Sequence, residues 1–270
     1  MNRTFPFTLL CVALALASML SGCATVEPLP LSTERVQDIV AQYPQTPDKL
    51  KLDQITPATV ASATESAGSP DVLVIVHPAY SVFFRDRSKD TYSEMKYHLL
   101  KQQFDNEARL IRSQTAVGKV VILVLPGNFA ADSQAPLSFV SYLNSMATGT
   151  RPVYYVQSET SSSGTLSMND MVNLYQFLQS MKVNKVMIGG GYIGRCQREF
   201  YGQLTTYLDR SRAYIVPEIS TISPDDVSDA EARTILSSIM REDFTPIKSF
   251  IDKKSNGKAN VRSLPQKQVP

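Results

Sequence analysis

The sequence predicts an α/β fold in three layers, a parallel sheet of about five strands with helices on both faces. Two patterns carry the prediction. Five short apolar runs, rich in β-branched residues, have no polar interruption, as strands buried on both faces require. Between successive runs lie longer stretches with helical periodicity, and strict alternation of this kind implies right-handed crossovers between parallel strands. With 270 residues, 43% hydrophobic and 19% charged, the chain can bury a sizeable core.

The elements follow in chain order. Arg3 precedes "FTLLCVALALASML", which has the length of a secretory h-region and is too short to span a bilayer comfortably. Residues 1–22 therefore read as a signal peptide. The run ends in Leu20-Ser21-Gly22-Cys23, which resembles the lipobox of bacterial lipoproteins. That resemblance implies cleavage before Cys23, lipidation of its sulfur and anchoring in the bilayer. Ala24, where an aspartate favours inner-membrane retention in that family, implies the outer membrane, with the chain on its periplasmic side and surface exposure open.

Residues 23–70 contain Pro28, Pro30, Pro44, Pro47, Pro57 and Pro70 among Ser, Thr and Ala, the composition of a tether. One short helix interrupts it, because Val36, Ile39, Val40 and Tyr43 share a face and Ser32 or Thr33 can cap the start. The α/β domain is expected over 71–243. Its strands are "VLVIV" (72–76), "VVILVL" (120–125), "VYYV" (153–156), "VMI" (186–188) and "YIV" (214–216). Its helices are expected near 92–113, 136–147, 169–182, 195–208 and 228–240. The first has Met95, Leu99, Leu100, Phe104, Ala108 and Ile111 on one stripe, with Asp105 one turn before Arg109 and His98 read as an exposed side chain one turn after Glu94. From 244 to 270 the lysines and Arg262 outnumber the acids, and the segment reads as a basic disordered tail.

Function classes narrow by charge and composition. A net charge of +2 gives no case for nucleic acid as a partner. Two histidines, and one cysteine left after Cys11 departs and Cys23 is lipidated, call for neither a metal site nor a disulfide. No cofactor is assigned by the leading reading. The expected partners are the lipid bilayer through Cys23 and an envelope protein.

In an open parallel sheet ligands bind beyond the carboxyl ends of the strands. The residues expected there are His77, Tyr80, Asn128, Glu159, Arg195, Cys196 and Glu218. The segment "KVMIGGGYIGRC" (185–196) also places Gly189, Gly190, Gly191 and Gly194 at that edge. Gly189, Gly191 and Gly194 satisfy G-x-G-x-x-G between a strand and a helix, which would let a pyrophosphate reach the helix end, with Glu218 on a ribose. Only one further strand follows, whereas a mononucleotide half needs two.

A second likeness rests on more of the chain. An apolar strand ending in "VMIGG", with Cys196 six residues after Gly190, the run "VLVIVHPAYSVFF" and the run "YIVPEISTISPDD" together resemble the isochorismatase-like cysteine hydrolases across about residues 71–240. The resemblance implies that fold and a nucleophilic Cys196. His77 stands where the family has an aspartate base, residues 152–181 contain no lysine for the third member, and a helix and strand are inserted near 136–156.

A histidine near a thiol at a helix start can generate a thiolate, so Cys196 and His77 form a candidate dyad, with Glu218 or Glu159 orienting the imidazole. Equally, Cys196 can be a small packed apolar residue and His77 a strand-end histidine bonded to a loop. The sequence thus predicts a lipid-anchored envelope protein whose domain has a binding or scaffold role. The alternatives are a cysteine-dependent hydrolase using Cys196 and, more weakly, a dinucleotide-binding protein.

Overall fold

The computed structural model describes residues 36–44, 49–63, 70–84, 92–127, 129, 137–149 and 151–264. Residues 1–22, expected to be a signal peptide, Cys23, the expected caps Ser32 and Thr33, and Asn128 lie outside them. No helix among the described residues is long and apolar enough to cross a membrane.

All five expected strands form, as β2 (Asp71–Val76), β3 (Val120–Leu125), β4 (Val153–Gln157), β5 (Lys185–Gly191) and β6 (Ala213–Thr221). A two-residue strand, β1 (Asp53–Gln54), joins the edge. The order is β1-β4-β3-β2-β5-β6 and every pairing is parallel. The β2 and β3 side chains from Val72 to Val76 and from Val120 to Leu125 are buried on both faces, which explains their unbroken apolar sequence.

The expected helices are α4 (Glu94–Ala116), α5 (Leu137–Asn144), α6 (Met168–Ser180), α7 (Cys196–Tyr207) and α8 (Asp229–Ile239). Shorter ones are α1 (Val36–Ala41), α2 (Pro57–Ser62) and α3 (Tyr80–Phe83), and α9 (Thr245–Ser255) follows α8. Crossovers run outward from β2 through α4 and α5 in one direction, and through β5 and α7 in the other. Right-handed connections therefore place α4 and α5 on one face and α6 and α7 on the opposite one. The larger core is formed by Leu100, Phe104, Ala108 and Ile111 of α4 against Leu73, Ile75, Val121 and Leu123 of the sheet.

Four expectations need correction. The tether does not extend to residue 70: Ile39, Leu52 and Ile55 are buried, β1 extends the sheet, and α2 starts at Pro57 with Thr56 as its cap. Nor is 244–264 a disordered tail. Its α9 packs on β6 and α8 with Ile247 and Ile251 buried, side chains that stabilise by about 1.5–3 kcal/mol each. Beyond α9 the chain clips onto β6, with Ile215 N–H donating to Asn260 O at 2.8 Å and Arg262 N–H to Ile215 O at 3.0 Å. His98 is buried rather than exposed, its Nε2 3.8 Å from Glu94 Oε1. Asp105 pairs with Lys101 at 2.5 Å, while Arg109 donates to Asn106 Oδ1 at 2.7 Å.

Candidate active site

The sheet order reverses between β2 and β5, so the crevice beyond their carboxyl ends is the place the fold leaves for a ligand. After β2 the chain turns sharply, with His77 and Ala79 both at positive φ (46° and 51°), and enters α3. After β5 it passes Tyr192 and starts α7 at Cys196. These two turns, with Thr221 at the end of β6 and Ser161 and Ser162 from the β4–α6 loop, enclose a cavity of about 160 Å³. Val82, Leu100 and Phe104 form its apolar wall.

His77 is 4% exposed and its Nε2 lies 3.0 Å from Ser158 Oγ. The Ser158 hydroxyl donates to a carbonyl, at 2.7 Å from Thr160 O or 3.2 Å from Leu125 O. Its oxygen is then left to accept, which assigns the imidazole proton to Nε2 and the lone pair to Nδ1. Burial lowers His77 to about 4, against an opposing pull from the Glu199 carboxylate, so the ring is neutral at physiological pH. Ser158 thus does what was expected of Glu218 or Glu159.

Cys196 is 8% exposed, and its thiol donates to Ser162 O at 3.3 Å. The expected depressed thiol is not found. Burial, and next the Glu199 charge, push it up, although the backbone N–H groups of Tyr192 and Cys196 and the Arg195 charge pull the other way. Glu199 accepts from Ser163 Oγ (2.9 Å) and Gly164 N–H (3.0 Å), fastening the β4–α6 loop over the start of α7. Gln197 pins the other side by donating to Gly190 O (3.1 Å) and Ser220 Oγ (2.8 Å).

Glu107 lines this cavity and was not singled out by sequence reasoning. It projects from α4 at 3% exposure. Oε1 accepts from Ala79 N–H at 2.9 Å and from Tyr142 Oη at 3.5 Å, and Oε2 from Thr221 Oγ1 at 3.4 Å. Among the described residues no salt bridge is recorded for it. Burial raises it to about 8, against those three hydrogen bonds, so it is mostly protonated at neutral pH. The available signal was a charged residue on an apolar stripe, three after Phe104 and four before Ile111.

The other sequence candidates divide between the cavity and other parts of the fold. Glu218 is not at the cavity: β6 contains extra residues between Ile215, paired with Ile188, and Ser220, paired with Gly190. That irregularity turns Glu218 to a separate polar groove, where Oε1 accepts from Leu264 N–H at 3.2 Å. Glu159 accepts from Thr165 Oγ1 at 3.2 Å and is not among the cavity lining. Tyr80 does line it, its ring 5.7 Å from that of His77.

Arg195 also lines the cavity, but its guanidinium is held 2.8 Å from Asp226 Oδ1. The glycines do not form a phosphate loop. Gly189 and Gly190 are strand residues of β5 packed against Ile219 and Val76, Gly191 ends β5 beside Thr221 and lines the cavity, and Gly194 faces Lys254. The dinucleotide reading fails on that geometry.

No family model matches the chain, and no curated protein matches it. Solved structures that resemble it include three of low identity. MAR1 ribonuclease from Caenorhabditis elegans is 13% identical over 72% of this chain and 85% of that one, with a TM-score of 0.37. The YcaC gene product of Escherichia coli, described as an octameric hydrolase of unknown specificity, is 13% identical over 81% of this chain and 80% of that one, at 0.41. YcaC from Pseudomonas aeruginosa, solved with hexane-2,5-diol and covalent acrylamide, is 11% identical over 75% and 79%, also at 0.41. At such scores the likeness assigns neither a residue nor a reaction to this chain.

Proposed function

We propose that the protein is a cysteine-dependent hydrolase of small acyl compounds, with Cys196 as nucleophile and His77 as proton carrier. The supporting observation is one of placement. The Cys196 thiol opens α7 in the same cavity as a neutral imidazole, with the N–H groups of Tyr192 and Cys196 acting on its sulfur.

Because burial raises the thiol and lowers the imidazole, no thiolate–imidazolium pair rests in the free site. Proton transfer therefore accompanies attack. As the sulfur–carbon bond forms, the thiol proton passes to His77 Nδ1 and the carbonyl electron pair moves onto oxygen, where backbone N–H groups can receive it. Collapse expels the leaving group, which takes the proton from His77; an imidazolium with so low a pKa gives it up readily. Water, deprotonated by His77, then attacks the thioester, and the departing sulfur recovers the proton.

The raised thiol also favours a second reading, in which the cavity binds a small molecule without turnover, as the binding or scaffold role would have it. Incubation with p-nitrophenyl acetate separates the two. Hydrolysis predicts a burst of p-nitrophenol, an acetyl group mapped to Cys196 by mass spectrometry, and a burst rate reduced about 100-fold or more in His77→Ala. Neither burst nor adduct leaves the binding reading.

For location, we propose that Cys23 is lipidated and holds the domain at the periplasmic side of the cell outer membrane. The support is Leu20-Ser21-Gly22-Cys23 directly after the h-region, and several acyl chains, at about 0.8 kcal/mol per buried methylene, hold firmly. Cys23→Ala is expected to incorporate no labelled palmitate. Equal incorporation would show that the signal has been misread.

A further inference from the structure

The site needs a thiol and a base, and the mechanism uses neither oxygen of Glu107. Yet a carboxyl group has been placed in an apolar cavity wall with three hydrogen-bond donors turned toward it, from Ala79, Tyr142 and Thr221. Donors around a carboxyl favour its anionic form, while burial without a cation opposes it. The cavity's other titratable groups provide no free positive charge. His77 is neutral, Cys196 is a thiol, Arg195 is committed to Asp226, and Tyr142 behind Glu107 is itself pushed above its ordinary value. The rings of Tyr80 and Phe104 supply the rest of the wall, and the Tyr192 ring already carries the Arg195 guanidinium, 5.9 Å from its centroid.

We propose that Glu107 is the specificity-determining residue of this cavity and selects substrates that carry a protonated amine. The proposal deepens the hydrolase reading by naming a substrate class, small esters or amides bearing an ammonium group. At about 160 Å³ the cavity is close to an engineered void that takes benzene, so one ring or a short chain fills it. Entry of the ammonium converts Glu107 from acid to carboxylate, and the carboxyl proton leaves to solvent.

Benzylamine, with benzyl alcohol as its uncharged counterpart, tests this by titration calorimetry in buffers of differing ionisation enthalpy. The expected result at pH 7 is that benzylammonium binds at least tenfold more tightly than the alcohol and releases close to one proton per ligand. Its affinity should rise about tenfold per pH unit from 6 and level above pH 8, since Glu107 is the cavity group that titrates in that range. Glu107→Gln is expected to weaken the amine at least tenfold and leave the alcohol unchanged. Equal binding of alcohol and amine, or no proton release, overturns the proposal, and both are read on the unmodified protein should Glu107→Gln fail to fold. Calorimetry needs no turnover. An acyl-enzyme without amine preference removes only the selectivity, and amine preference without an acyl-enzyme removes only the hydrolase.

Discussion

Gly190→Ala is expected to cost the protein more than about 4 kcal/mol, a large share of the roughly 5–15 kcal/mol by which a domain of this kind is stable. β5 lies between β2 and β6, one strand in from the edge of the sheet. Gly190 has φ +81°, and a Cβ there would sit 2.0 Å from Val76 O, 2.6 Å from Val76 N and 2.8 Å from Val76 C. A left-handed backbone alone costs an L-residue about 1–2 kcal/mol. The contact is worse, because its partner is the backbone of β2 and not the tip of a side chain that could rotate away. β2 and β5 would have to part. Gly202→Ala is the matched control: it lies in α7 with nothing within 4 Å of the new methyl, and should stabilise by up to about 1 kcal/mol. Urea titration followed by circular dichroism measures both. A Gly190→Ala midpoint within error of the parent would mean that strand contact does not dictate this glycine.

The second large effect is a fall in stability across pH 6.5–8 that Glu107→Gln removes. Glu107 titrates at about 8 in the folded chain and near 4.5 when unfolded. Between those values the unfolded state has released a proton that the native state retains, so stability declines by up to about 1.4 kcal/mol per pH unit. The decline is absent below 4.5 and complete above 8. His77 acts in the opposite sense, because its folded value near 4 lies below its ordinary 6.5. Its contribution is fully present above 6.5 and is lost as pH falls toward 4. The two slopes oppose each other below 6.5, which leaves 6.5–8 as the window where Glu107 stands alone of the pair. The variant should be tolerated, since an amide copies the protonated acid: its oxygen keeps Ala79 N–H and its nitrogen can donate to Thr221 Oγ1. Denaturation midpoints that stay parallel for parent and variant from pH 6.5 to 8 would show that Glu107 ionises freely in the native state.

Runs of β-branched residues made all five long strands legible, because a strand buried on both faces has no polar position to obscure it. What the sequence concealed had weaker local signals. β1 is two residues, Asp53 and Gln54, both exposed, and exists only because β4 offers an edge. α9 buries Ile247 and Ile251 in a lysine-rich segment, so composition spoke for solvent while two side chains held the helix down. At the site, Cys196, His77, Tyr80 and Arg195 were legible as residues flanking strand ends. Glu218 was misplaced because its position was counted along a regular strand, and the register break in β6 brings Ser220 and Thr221 to the edge in its stead. Glu107 lay beyond reach of strand-end reasoning altogether, since it arrives from the middle of a helix.

The docking of α1 has a mechanical consequence. Ile39 is buried in the main core, the Tyr43 ring lies 5.8 Å from Phe83 and 5.4 Å from Tyr142, and Arg112 donates to Tyr43 Oη at 2.9 Å. If Cys23 is the lipid-bearing residue, as proposed, only the residues between it and Val36 separate the bilayer from the folded domain. Fully drawn out, those thirteen steps reach about 45 Å, whereas a chain free to residue 70 would reach roughly 160 Å. On that proposal the domain would be confined to a thin shell above the membrane, and would meet any ligand at the concentration it has there.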